Sequence, residues 1–300
     1  MNQSRTRGPA FIALAAILWG VDGILRRSLF SLPPIIIVFY EHLIGAIIIA
    51  PFFFAKWKQE KLTRREWAAI IFVSLLSGVL GTLWFTTALL KVNFISFSVV
   101  LLLQKLQPLF AIAAGAVLLK ERVTKKYIGW AVLALIAAFF VTFKNGVVNF
   151  GDGNGTIIAA LFAVGAAFAW GSSTAFSRFA LLNHSHTVST GLRFFITVPF
   201  ALLLVPFLGA TTDLASPTGN QILRLCIIAL STGMVALWIY YRGLKTTQTK
   251  VATIVELLFP FTAVLIDIFL YNTVLAPTQY LAALVLLFAI YQVSKLSPET

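Results

Sequence analysis

Apolar runs alternate with short polar segments along the whole chain, and a helix that crosses a bilayer needs about 20 apolar residues. Cutting the sequence at its charges, glycines and prolines predicts ten spans, near 8–27, 34–55, 67–88, 95–118, 127–144, 156–177, 187–208, 222–241, 249–270 and 277–294. The connections are too short to hold a soluble domain or a long linker. The opening "MNQSRTRGPAFIALAAILWG" has the basic flank and apolar core of a signal peptide. Its apolar run continues through Trp19 to Leu25 with no small-residue cleavage site and ends at Arg26 and Arg27, so it is read as the first span.

Composition agrees. Of 300 residues, 59% are hydrophobic and 11% charged, with a mean hydropathy of +0.93, which excludes an ordinary soluble domain. The net charge of +13 does not make a nucleic-acid partner, because the cations sit in short clusters between apolar runs rather than on one polar module. The richest cluster, "KWKQEKLTRREW", reads as a solvated loop. With the N-terminus inside, the inner segments hold 16 Lys and Arg against 5 in the outer loops, an asymmetry that places both termini in the cytoplasm. In a prokaryote the membrane is expected to be the plasma (inner) membrane. The single Cys226, in "ILRLCIIALS", excludes an internal disulfide and is read as a small buried apolar residue.

Features recur at a separation of 151 to 155 residues. "AILWGVDGILRRSLF" in the first span is answered by "AFAWGSSTAFSRFAL" in the sixth, so Trp19-Gly20 falls on Trp170-Gly171 and Arg27 on Arg178. The stretch around Pro108 is answered by that around Pro260. This predicts an all-α integral membrane protein of ten transmembrane helices in two five-helix repeats, 1–150 and 151–300. Five is odd, so the second repeat enters the bilayer from the opposite side. Inverted repeats of this kind mark secondary transporters, with the substrate site near the midplane between the halves.

"YEHLIGAIIIAPF", the segment "ALLKVNFISFSVVLLLQKLQPLFAI" with "LLKERVTKKYIGWAVLAL" after it, and the echo "GLKTTQTKVATIVELLFPFTAVL" resemble the ten-helix, EamA-type transporters of the drug/metabolite transporter superfamily. The resemblance covers nearly the whole chain. It is strongest from Ala88 through "KERVTKKYIG", in the Glu121 loop and the following Gly129. It implies export or uptake of small solutes through a central cavity lined mainly by the first four helices of each repeat. Glu41 is a departure, since many members carry an arginine near that position; Arg193, in "TGLRFFITV", keeps it in the second half. Substrates of arginine-bearing relatives are therefore not carried over.

An ionisable residue inside a span is costly and rarely idle. At an offset of 152, Glu41 corresponds to Arg193, and Gln104 beside Lys105 corresponds to Glu256, so the signs are exchanged between repeats. Depth along the spans suggests two ion pairs, Glu41 with Lys105 and Arg193 with Glu256, facing the cavity or holding helices together. His42 and Gln107 accompany the first pair, His42 either bonding a backbone carbonyl of another helix or relaying a proton. Pro108 and Pro260 free the carbonyls of Gln104 and Glu256, so each polar position coincides with a helix break. Asp22 and Arg26, four residues apart, read as local charge neutralisation, and Asp267 as a residue reaching interfacial water. Trp19, Tyr40, Trp84, Trp170, Trp238, Tyr240 and Tyr241 are candidates for the cavity wall, where they would stack on an aromatic solute or hold a cation, or else belong to the interfacial belt.

These features make a carrier working by alternating access, an exporter of amino acids or similar zwitterionic or aromatic solutes. A lipid or amphiphile flippase and a drug or organic-cation exporter share the architecture. An enzyme lacks its parts: there are three histidines, two of them in "NHSH", with no HExxH and no phosphate-cradling glycines. Paired opposite charges argue against a selective pore, which shows rings of one sign. No metal or cofactor is called for. The expected partners are a small-molecule substrate and the bilayer, with a proton or counter-substrate as candidate coupling species, no nucleic acid, and a monomeric state.

Overall fold

The computed structural model describes residues 3–91, 93–119, 124–148, 154–247, 255–256 and 258–295. The Glu121 loop, the start of the ninth span and the Arg178 side chain lie outside the described residues. The described residues are helical, with no strand among them. In chain order the helices are α1 (Gln3–Arg27), α2 (Pro34–Trp57), α3 (Arg64–Leu90), α4 (Phe97–Leu103 continued by Gln107–Leu119), α5 (Lys125–Thr142), α6 (Gly155–Asn183), α7 (His186–Phe207), α8 (Gly219–Leu244), α9 (Leu258–Phe269) and α10 (Pro277–Lys295). Seven are long and apolar enough to cross a membrane by length and composition; the fourth, ninth and tenth are shorter apolar helices. Large apolar side chains stand exposed around the outside, among them Phe52, Phe207, Phe269 and Leu284, as a lipid-facing surface requires.

The packing is symmetric under exchange of the repeats. Helix α2 packs on its equivalent α7, and α5 on its equivalent α10. Helix α1 packs on α8 and α9 of the second repeat, and α6 packs on α3 and α4 of the first. The repeated Trp-Gly pair explains the closeness. A Cβ added at Gly171 would lie 2.3 Å from the carbonyl oxygen of Gln107, and one at Gly20 would lie 2.7 Å from Thr262 Cβ and 3.2 Å from the Phe259 carbonyl oxygen. Gln107 and Phe259 immediately precede the equivalent Pro108 and Pro260, so each glycine admits the broken helix of the other repeat at a distance no side chain allows. The equivalent helices α3 and α8 also begin alike, with capping boxes Thr63–Glu66 and Thr218–Gln221 that satisfy otherwise orphaned amides.

The predicted breaks at the prolines are present, and their freed carbonyls are satisfied in two ways. In α4 the chain tightens to a 3-10 turn over Gln104–Leu106, and the Gln107 amide donates to the Gln104 carbonyl. At the start of α9 the Glu256 carbonyl accepts from the Phe259 amide at 3.1 Å and from Lys105 Nζ at 2.8 Å. Two further irregularities went unforeseen: a π-helical stretch within α3, Ser74–Gly81, and a break in α8 at Ser231 to Gly233. Asp267 does not reach interfacial water. It is 1% exposed, and its carboxylate accepts from the Ser98 amide at 2.7 Å, capping the N-terminus of α4 where an anion is stabilised. Cys226 is half-buried rather than buried.

Candidate functional site: a central cavity between the repeats

All these irregularities surround one cavity of about 200 Å³. The i, i+4 spacing in α1 puts Asp22 and Arg26 on one helical face, one turn beyond Trp19, and all three line the cavity. Arg26 pairs with Asp22 and donates from Nη2 to Glu41 Oε2 at 2.8 Å. Its Nη1 donates to the Thr86 hydroxyl at 3.1 Å, and the Thr232 hydroxyl donates to the second Asp22 oxygen. A planar guanidinium can serve two carboxylates and a hydroxyl at once. The residues are buried, with Asp22, Arg26 and Glu41 each 4% exposed. Helices α1, α2 and α3 thus meet at the Arg26 side chain, and α8 joins them through Asp22. The α8 break makes room, because a Cβ at Gly233 would lie 2.8 Å from Glu41 Oε1.

A second charge group forms where α4 and α9 break. Lys105 holds the Glu256 carbonyl and lies 5.2 Å from the Phe259 ring centre, while the Glu256 carboxylate accepts from the Tyr240 hydroxyl at 2.8 Å. In a third group, Arg193 donates to Ser77 Oγ at 2.8 Å and to the Tyr241 hydroxyl at 3.2 Å. The π turn supplies the acceptor beside it: Trp170 Nε1 donates to the Ser77 carbonyl at 3.0 Å. The cavity is therefore lined by three acids, Asp22, Glu41 and Glu256, and three bases, Arg26, Lys105 and Arg193. Its formal charge is balanced, and each carboxylate already has a donor. The rest of the wall is aromatic. Trp19 and Tyr240 lie with ring centres 5.0 Å apart, and Phe85 and Trp170 5.2 Å apart.

Of the sequence-predicted positions, Glu41, His42, Lys105, Arg193, Glu256, Trp19, Trp170, Tyr240 and Tyr241 line this cavity together with Gln107. The partners differ from the expected ones. Glu41 pairs with Arg26 instead of Lys105, and Arg193 with Ser77 and Tyr241 instead of Glu256; Lys105 meets Glu256 across the repeats through its carbonyl. His42 Nδ1 is 2.9 Å from the carbonyl of Val38 on its own helix, not another, and its ring packs on Phe194 at 4.8 Å. Gln104 points away from the cavity and donates to the Ala163 carbonyl at 2.8 Å, tying α4 to α6. Tyr40 donates to the Leu214 carbonyl, Trp84 lies against Gly165, and Trp238 donates to Thr187 at 3.2 Å; none of the three lines the cavity. Asp22 and Arg26 form the expected local pair and also build the site. The missed residues Thr232, Ser77 and Thr86 carry no charge to mark them within a span. A usable signal existed for Arg26: it and Glu41 flank one short connection, so both sit near the same end of adjacent helices.

At one end of the molecule, His184 bridges the repeats. Its Nδ1 is 2.6 Å from Glu60 Oε2 and its Nε2 3.3 Å from Glu66 Oε1, while Ser185 donates its amide to Glu60 at 2.9 Å. Burial pushes the Glu60 carboxyl up, but the hydrogen bonds from His184 and Ser185 outweigh it and hold the group below its ordinary 4.5.

Comparison with known proteins agrees with this architecture. The chain is 36% identical over 297 residues to the riboflavin transporter ImpX of Fusobacterium nucleatum subsp. nucleatum, covering 97% of this chain and 98% of that protein. A solved crystal structure shares the fold at a TM-score of 0.61 with 16% identity, covering 97% of this chain and 98% of that one. The model of the EamA-like transporter family matches twice, at residues 6–143 and 157–295. Two copies of that domain, ten apolar helices and a polar cavity between the halves have one reading: the chain is a multi-pass membrane transporter of the EamA-like family.

Proposed function

We propose that this transporter moves riboflavin, or a flavin of the same ring system, by alternating access of the halves 1–150 and 151–300 about the central cavity. The cavity lining carries this reading. A zwitterionic amino acid needs a carboxylate for its ammonium, and here Asp22 and Glu41 share Arg26 while Glu256 is held by Tyr240. A net-neutral site walled by Trp19, Phe85, Trp170 and Tyr240 suits an uncharged flat heterocycle, which gains stacking and finds polar groups along its edge. The likeness to a riboflavin transporter over the full length points the same way. The excess of Lys and Arg in alternate loops supports an orientation with both termini in the cytoplasm.

The test is binding and flux with the full chain. Riboflavin added to the purified protein should lose fluorescence saturably on stacking, and proteoliposomes should exchange labelled riboflavin in competition with unlabelled flavin but not with amino acids. Saturable amino-acid exchange without riboflavin exchange would replace this reading with amino-acid transport.

A further inference from the structure

A second concavity lies outside the cavity, on the flank where α2, α3 and α7 meet. Its walls are apolar: Phe53, Phe54 and Trp57 of α2, Trp67 and Ile71 of α3, and Phe195 of α7. The rings brace one another, Phe53 on Trp57 at 5.1 Å and on Phe195 at 5.0 Å, Trp57 on Trp67 at 6.1 Å. Helical spacing decides what stands at its mouth. Trp67 and Ile71 recur at i, i+4, and Arg64 lies three residues before Trp67 on the same stripe. On α2, Lys58 lies four residues after Phe54, with helical φ and ψ of −61° and −19°. Lys58 and Arg64 are exposed and take no part in any ion pair or side-chain hydrogen bond among the described residues. The nearby acids cannot neutralise them, since Glu60 and Glu66 both turn to His184.

We infer that this groove binds an anionic phospholipid, with one acyl chain along the aromatic walls and the phosphate between Lys58 and Arg64. The occupant follows from complementarity. The groove is too apolar for a soluble anion and opens on the lipid-facing flank, while two unpaired cations beside its apolar walls select for a negative headgroup. Trp57 ends α2 and Trp67 lies in the first turn of α3, and indole rings at the ends of spanning helices favour the membrane interface. The site is separate from the substrate cavity, and the inference holds whatever the transported solute.

The experiment titrates the full-length protein, in mild detergent, with phosphatidylglycerol, phosphatidylcholine and glycerol phosphate, reading bound lipid by native mass spectrometry and the unfolding temperature in parallel. Phosphatidylglycerol should bind saturably and raise the unfolding temperature, while phosphatidylcholine and the soluble headgroup should do neither. The double variant Lys58→Gln/Arg64→Gln should bind phosphatidylglycerol about 30-fold more weakly, from roughly a fivefold step of surface attraction per cation. Ile71→Glu, a change at a 42% exposed wall position, should lose binding by placing a carboxylate in the slot. Both should unfold without lipid at the parent temperature. Lys125→Gln/Lys126→Gln, at the exposed start of α5, should bind as the parent does. Equal binding of the two lipids, retention by either groove variant, or equal loss in the α5 variant would overturn the inference.

Discussion

Replacing Arg26 by methionine tests the construction of the cavity. The side chain serves Asp22, Glu41 and Thr86, and the two carboxylates with one guanidinium carry a formal charge of −1. Arg26→Met leaves two buried acids facing each other with only the Thr232 hydroxyl to help Asp22. Removing one partner of a buried pair costs about 3–5 kcal/mol. At about 2–4 °C per kcal/mol for a chain approaching this size, the unfolding midpoint should fall by roughly 6–20 °C. Glu41→Gln should cost only about 1 kcal/mol, because the amide oxygen still accepts from Arg26 and the group's formal charge becomes zero. The two changes are coupled. In the Arg26→Met background Glu41→Gln removes the excess acid, so the double variant should be more stable than Arg26→Met alone, with a coupling of about 2 kcal/mol. Thermal unfolding in detergent, followed by the fluorescence of the seven tryptophans, reads the whole cycle. An Arg26→Met protein within 1 kcal/mol of the parent, or a double variant whose loss is the sum of the singles, would refute the shared guanidinium.

Trp170→Ala should weaken riboflavin binding about tenfold, as loss of one stacking face is worth about 0.5–1.5 kcal/mol beyond area; fluorescence titration measures it. Glu60→Gln should lower the unfolding temperature at neutral pH. Because the folded pKa of Glu60 lies below 4.5, its contribution is complete above pH 4.5 and is lost as the pH falls through the folded value, so parent and variant melting curves should converge on acidification. A gap that stays constant from pH 7 to pH 3.5 would remove this ion contact from the account. Gly171→Val should abolish accumulation of folded protein, because the atom in the way, the Gln107 carbonyl oxygen at 2.3 Å, belongs to backbone and cannot swing aside. Normal yield and melting would show that α4 and α6 can separate at no cost.

The spans, the two repeats and the proline breaks were legible because each is a local or periodic property: run length, recurrence, and a ring without an N–H. Partner choice was not. Glu41 could reach Lys105 or Arg26 by depth alone, and assigning Arg26 to Asp22 by its i, i+4 spacing treated the guanidinium as exhausted when it has five donors. Asp267 looked interfacial from its place near a helix end, yet the contact that buries it is made by a backbone amide of α4, which carries no sequence mark. Gln104 and Trp84 resembled site residues by type and position but face α6. Helix rotation decides this, and an apolar surround on every side of a membrane helix hides the rotation from the periodicity of its sequence.

Ser77, in the π turn, lines the cavity, and its carbonyl is a polar group that belongs to no side chain. It takes hydrogen bonds from Trp170 and from Thr82 because the wide turn takes it out of the regular ladder of α3. Side-chain scanning of the cavity will pass over it, since alanine at position 77 keeps the oxygen. A π turn holds one residue more than the α-helix around it, so deletion of a single residue between Ser74 and Gly81 is the change that would rewind the helix and withdraw this acceptor. In this protein the length of a helix, counted to the residue, is itself part of the wall of the central cavity.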